Sequence, residues 1–133
     1  MLLMGAGLLT IVALIGGFIA WSLNDVLFYL ETDKKIVALT LDDGPNPEAT
    51  PELLDVLDSL GIKATFFING KHAVLYPDVL QETAQRGHEI GNHAWTHQAL
   101  YHFSEDIPFE EIKETNELIA EITGTTPTLF RPP

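Results

Sequence analysis

Two adjacent carboxylates, Asp42 and Asp43, and two histidines four residues apart, His93 and His97, have the types and spacing to do chemistry. Of two neighbouring carboxylates, one can ligate a cation while the other stays free to take a proton from water. Imidazoles at i and i+4 reach one side of a helical turn. Two imidazoles with one carboxylate make a three-ligand site for a divalent ion and leave positions open for water and substrate. Arg131 adds a guanidinium able to hold a carboxylate by a bidentate bond. Each piece also has a plainer reading. Asp43-Gly44 is ordinary turn vocabulary, the histidines suit a surface loop, and Arg131 suits a solvated terminus. His72, His88 and His102 read as structural or solvated, and Trp95 reads as core. The sequence has no cysteine, which excludes disulfides and thiolate sites, so any metal must be held by His, Asp or Glu.

Positioning these groups requires elements that end where they stand. Ile36 to Leu41 is short, apolar and partly β-branched, and predicts a buried strand stopped by Asp42-Asp43-Gly44-Pro45. Thr50 as cap and Pro51 at the first helical position predict a helix, with Leu53, Leu54, Leu57 and Leu60 at helical spacing and Gly61 ending it. Ala64 to Ile68 is a second strand. A helix from Pro77 to Gly87 carries Val79, Leu80 and Ala84 on its apolar side. His88 to Ile90 is a third strand, leading into the histidine pair. A helix from about Pro108 to Thr123 buries Phe109, Ile112, Ile119 and Ile122. Thr128 to Phe130 starts a fourth strand. Alternating strands and helices predict an α/β fold with a parallel sheet or barrel. In such folds chemistry gathers at the carboxyl ends of the strands, where Asp42, Asp43, His93 and Arg131 all fall.

The N-terminal stretch is of another kind. Leu2 to Leu23 holds no charged side chain, and about 20 apolar residues suffice to span a bilayer core. Residues 1–24 are expected to be a transmembrane anchor. The alternative is a secretory signal, for which Ala20-Trp21-Ser22 offers a small-x-small cleavage site. The expected placement is membrane-anchored with the catalytic domain extracellular or periplasmic, or secreted after cleavage, although Lys34 and Lys35 by themselves favour a cytoplasmic domain. The net charge of −12 repels phosphate and excludes nucleic acid as a partner.

The motifs occur in a telling order. Thr40-Leu41-Asp42-Asp43-Gly44-Pro45 follows the first strand, Gly91-Asn92-His93-x-x-x-His97 the third, and Arg131-Pro132-Pro133 the fourth. Residues 34–133 thereby resemble the polysaccharide deacetylase family, the NodB-homology domain of carbohydrate esterase family four. The resemblance implies a distorted (β/α) barrel and a hydrolase that removes N-acetyl groups from an amino-sugar polymer, peptidoglycan or a chitin-like glycan. It implies Asp42 as catalytic base, Asp43, His93 and His97 as metal ligands, and Arg131 as the residue orienting the base. The implied cofactor is a divalent ion, zinc first, with cobalt, nickel or manganese as alternatives. Leu41 replaces the family's usual Phe. Ala94 replaces a Ser or Thr whose hydroxyl would brace the histidine loop. The family domain continues with a further acidic-aromatic motif and a Leu-x-His motif that carries the general acid. Neither is in this sequence, so the chain is expected to be the front part of a longer domain. The other reading is an inactive, membrane-tethered remnant that binds metal or glycan.

Overall fold

The computed structural model describes residues 31–99 and 106–133. The expected anchor over 1–24 and His102 lie outside the described residues. Among the described residues no helix is long and apolar enough to cross a membrane.

Among the described residues seven elements follow one another: β1 (Thr40–Gly44), α1 (Ala49–Leu60), β2 (Thr65–Ile68), α2 (Gly70–Leu75), α3 (Pro77–Gln85), β3 (Glu89–Asn92) and α4 (Asp106–Thr123). The strands form one parallel sheet in the order β1-β2-β3. Phe130 adds a single parallel bridge to Asn92. The expected fourth strand is reduced to that bridge. The strands are added in sequence order, so their carboxyl ends share one rim.

Side chains alternate across β2, as a period of two demands. Phe66 and Ile68 join Leu54 and Leu57 of α1, Ala73 of α2, Leu80 of α3 and Ile119 of α4 in one apolar core. Phe67, between them, is also buried but lies outside that cluster. Leu41 and Ile90 flank the core from the neighbouring strands.

Several boundaries differ from the sequence expectation. β1 is displaced toward the acidic pair, because β2 begins opposite Thr40 and residues 36–39 precede its first partner. Ile36 and Val37 are accordingly exposed. Thr50 does not cap α1. The Asn46 side chain accepts from the N–H groups of Glu48 (3.0 Å) and Ala49 (2.8 Å). Thr50 instead takes the Asn46 N–H on its hydroxyl at 3.0 Å. This Asx-type turn starts the helix before Pro51, which falls in a first turn that needs no N–H from it. Leu60, expected on the buried stripe, is exposed. Gly61 ends α1 with φ 64°. The short helix α2 was not foreseen; Asn69 opens it by accepting the His72 N–H. On α4, Phe109 is 64% exposed. The covered face follows Ile112, Thr115, Ile119 and Ile122, and Phe109 lies about 100° round the helix from it.

Arg86, just past α3, joins α3 to α1. Its guanidinium reaches Asp55 (2.8 Å) and Asp58 (3.0 Å) on α1 and Glu82 (2.6 Å) on its own helix. Lys63 also reaches Asp58 at 3.0 Å. Hydrogen bonds donated to Asp55 and Glu82 hold the pKa of the Arg86 guanidinium above its ordinary value. The Lys63 and Arg86 cations hold the Asp58 carboxyl below its own, against a smaller opposing effect of burial.

Candidate metal centre

The acidic pair sits on an irregularity in β1. Pairing runs through Leu41↔Phe66 and resumes at Gly44↔Ile68. Three steps on β1 thus match two on β2, and one extra residue is lodged at Asp42-Asp43. In a regular strand these neighbours would point to opposite faces. A bulge re-aims them. Here Asp43 takes φ 67°, a left-handed conformation that Asp tolerates better than most residues. Asp42 accepts from Arg131 Nη1 at 2.7 Å. Asp43 turns to the histidines: its Oδ1 lies 2.8 Å from His97 Nε2 and 3.5 Å from His93 Nε2.

The histidines reach this point from a loop, not from the helical turn their spacing suggested. Residues 93–99 form no helix. Positive φ at Ala94 (63°) and His97 (60°) folds the loop back, leaving the rings edge to face with centroids 5.0 Å apart. His93 is buried and firmly held. Its N–H donates to the Ile68 carbonyl at 2.9 Å. Its Nδ1 lies 2.7 Å from the Arg131 carbonyl oxygen. A carbonyl can only accept, so Nδ1 carries a proton, and Nε2 is the ring nitrogen turned to Asp43.

Asp43, His93 and His97 each offer one ligand atom, all within 4.8 Å of one another. Tetrahedral ligation by nitrogen and oxygen at ordinary zinc distances separates ligand atoms by about 3.4 Å. The donor set and its outer support, a backbone carbonyl behind His93, therefore suit a divalent ion.

Arg131 is fixed on several sides. Its Nη1 also donates to Thr40 Oγ1 at 3.0 Å, its N–H donates to the Asn92 carbonyl at 2.9 Å, and its guanidinium carbon stands 4.2 Å over the Phe67 ring. Gly91 leaves room for that ring: a Cβ there would come within 2.5 Å of it. Every site residue expected from the sequence is thus brought to the same rim.

Further supports went unforeseen. Asn92, fully buried, accepts the Ala94 N–H at 2.7 Å and donates to the Ile112 carbonyl and Asn116 Oδ1, both at 2.8 Å. Glu111 of α4 accepts from the N–H groups of Trp95 (2.8 Å) and Thr96 (2.7 Å) and from the Thr96 hydroxyl (2.8 Å). The brace expected from a hydroxyl at position 94 is supplied here by Asn92 and Glu111. His72 Nδ1 lies 2.8 Å from the Asp43 carbonyl oxygen. Glu111 left one trace in the sequence: it stands four residues before Thr115 and eight before Ile119, on the covered side of α4, where a solvated carboxylate has no reason to be. Trp95 is half-buried and packs over Gly70, where a Cβ would come within 2.4 Å of the indole. His88 is buried at the opposite end of the sheet, as a structural residue would be.

The family model described as polysaccharide deacetylase matches residues 29–133. The peptidoglycan-N-acetylmuramic acid deacetylase PdaC of Bacillus subtilis is 40% identical over 104 residues, covering 78% of this chain and 22% of that protein. A peptidoglycan-N-acetylglucosamine deacetylase of Bacillus cereus is 42% identical over 101 residues, covering 76% of this chain and 37% of that protein. The crystal structure of the Bc1960 peptidoglycan N-acetylglucosamine deacetylase, in complex with 4-naphthalen-1-yl-N-oxidanyl-benzamide, superimposes with a TM-score of 0.75 at 40% identity, over 77% of this chain and 48% of that one. The chain spans less than half the length of these relatives. Matched over more than three quarters of its length, and with the same α/β architecture, the chain belongs to the polysaccharide deacetylase family.

Proposed function

We propose that this chain carries the metal-binding and base-bearing part of a deacetylase that hydrolyses the acetamide of N-acetylated amino sugars in a polymer, peptidoglycan or a chitin-like glycan. The observation that carries the reading is the convergence of Asp43, His93 and His97 on one point, with the Asp42–Arg131 pair on the same rim. The names of the relatives, which are peptidoglycan deacetylases, support the substrate class.

Asp43, His93 and His97 would hold a divalent ion, which would supply Lewis acidity toward the acetamide carbonyl and toward water. Zinc suits two imidazoles and a carboxylate, with cobalt, nickel or manganese as alternatives. The chain's own residues supply the base and its support. Asp42 takes a proton from the attacking water, whose oxygen adds to the carbonyl carbon. Arg131 is the orienting residue: held by Thr40 and Phe67, it aims the Asp42 carboxylate. The carbon–nitrogen bond then breaks as the departing amine takes one proton from a general acid, and Asp42 afterwards returns the proton it gained to solvent. His93, fixed in one tautomer by the Arg131 carbonyl, keeps its Nε2 available as a donor throughout. The three strands with the Phe130 bridge correspond in this reading to an arc of a barrel, and the apolar segment before residue 24 tethers that arc at the outer face of a membrane.

The test is acetate release from N-acetylated chito-oligosaccharide and from peptidoglycan, using the natural protein at its full length, loaded with zinc. Asp42→Asn should lower the rate by about 10²- to 10⁴-fold and leave zinc affinity essentially unchanged. Undiminished turnover in Asp42→Asn would sink the base assignment. Failure of the unaltered, zinc-loaded protein to release acetate from either polymer would sink the activity.

A further inference from the structure

We infer that Glu111 is a positioning residue for the metal centre: by gripping the middle of the His93–His97 loop it sets the distance between the two imidazole donors. This rests on the metal-site reading above and adds a residue from α4 that touches neither ion nor substrate.

The two histidines are not held alike. His93 is buried and pinned through its backbone and its ring. His97 has a half-exposed side chain and a left-handed backbone at the open end of the loop. What lies between them therefore decides where His97 Nε2 arrives. On the carbonyl side of that stretch, Ala94 and Trp95 accept from the N–H groups of Gly70 (3.0 Å) and Lys71 (3.1 Å) at the start of α2. On the amide side, the Trp95 and Thr96 N–H groups both converge on Glu111 Oε2, and the Thr96 hydroxyl meets Oε1. Three donors aimed at one side chain call for a group that only accepts, and a carboxylate has about four lone-pair positions for them. Charge-assisted bonds of this kind are short and strong. The loop is thus held between α2 and α4, one residue short of His97.

Removing the carboxylate leaves two partly buried amides without an acceptor. The cheapest relief is for residues 95–97 to swing toward water, which carries His97 Nε2 away from Asp43. Loss of an outer-shell partner typically weakens metal binding about 10- to 100-fold. A purely structural Glu111 would instead lower stability and leave the affinity of the folded protein alone.

Metal-free protein should be titrated with zinc and, for its visible spectrum, with cobalt, at a temperature well below unfolding. The variants are Glu111→Ala, Glu111→Gln and Glu111→Met. Glutamine keeps one acceptor oxygen, and its amide can donate to the Thr96 hydroxyl once that hydroxyl turns round, so Glu111→Gln should restore most of the affinity. Glu111→Ala should bind zinc about 10- to 100-fold more weakly and give an altered cobalt spectrum. Glu111→Met keeps the volume and the helix-forming character without an acceptor, and should behave like Glu111→Ala. Unaltered zinc affinity in Glu111→Ala or Glu111→Met overturns the proposal, and so does an equal loss in Glu111→Gln. If both apolar variants fail to fold, amide hydrogen exchange in the unaltered protein decides. Protected Trp95 and Thr96 amides support the clamp, and freely exchanging ones overturn it. If the unaltered protein binds neither ion, the metal-site reading itself falls; if it binds and the variants bind equally well, only the Glu111 assignment does.

Discussion

At the scale of single residues, the chemistry depends on side chains held in backbone conformations they do not prefer. Asp43, Ala94 and His97 all have φ near 60°, at a cost of about 1–2 kcal/mol for an ordinary residue and less for Asp. Such strain gathers where the surrounding structure over-determines it. Asp43→Ala therefore confounds two effects, the lost ligand and a worse backbone. Asp43→Asn keeps the tolerance for the left-handed region and removes only the carboxylate. Zinc titration should show tight binding abolished in both variants. Thermal unfolding without metal should show Asp43→Asn close to the unaltered protein, with Asp43→Ala less stable by about 1 kcal/mol. Equal metal-free stabilities would mean that the left-handed turn carries no strain for alanine. That Asp42, Asp43, His93, His97 and Arg131 would meet on one rim was legible in the sequence, because they stand at or soon after strand ends and in a recognisable order. Glu111, Asn92 and His72 were not, because their partners are backbone amides and carbonyls, and a backbone group has no signature in a one-letter code.

At the scale of elements, what matters is how close β3 comes to β2. Gly91 is paired with Phe67 across the sheet, and any Cβ at 91 would meet the Phe67 ring at 2.5 Å. That ring supports the Arg131 guanidinium. Gly91→Ala should lower stability by about 1–3 kcal/mol through overpacking and should also lower turnover by displacing Arg131, while Asp43 and the histidines keep their ion. Denaturant unfolding with parallel zinc titration checks this, and unimpaired turnover would disconnect Phe67 from the placing of Arg131. The helices of the sequence reading largely exist, because their apolar spacing and their Gly and Pro boundaries are local signals. The start of β1 was misplaced, since an apolar run such as Ile36–Leu39 does not reveal where its partner strand begins. The bulge was invisible for the same reason: it is a relation between β1 and β2, and Asp42-Asp43-Gly44 reads equally well as a turn.

At the scale of the whole molecule, chemistry and support occupy opposite ends of a parallel sheet. The strand starts carry Lys63, Arg86 and His88, and the strand ends carry the candidate metal ligands Asp43, His93 and His97. His88 accepts the Ala64 N–H on Nδ1 at 3.2 Å, and its Nε2 has no partner among the described residues. Burial, reinforced by the Lys63 and Arg86 cations and only partly opposed by Asp58, holds its pKa below the ordinary value of 6.5. The sign follows from linkage: in acid the unfolded chain takes up a proton that folded His88 resists. The stability tied to neutral His88 is complete above about pH 6.5. It declines as the pH falls below that value, by at most about 1.4 kcal/mol per pH unit for one proton. His88→Asn can still accept the Ala64 N–H and should flatten the difference in metal-free stability between pH 7 and pH 5. An equally steep profile in that variant would assign the acid sensitivity to other groups. Parallel order itself was legible from the alternation of strands and helices, whereas a buried, half-satisfied imidazole before β3 was not, since burial is a property of what packs around a residue. The shared direction of the strands also has a practical side. Anything attached at their starting ends, whether a resin or a fluorophore, stands a strand's length of roughly 13–17 Å behind the rim that bears Asp42, Asp43 and Arg131, leaving that rim unobstructed.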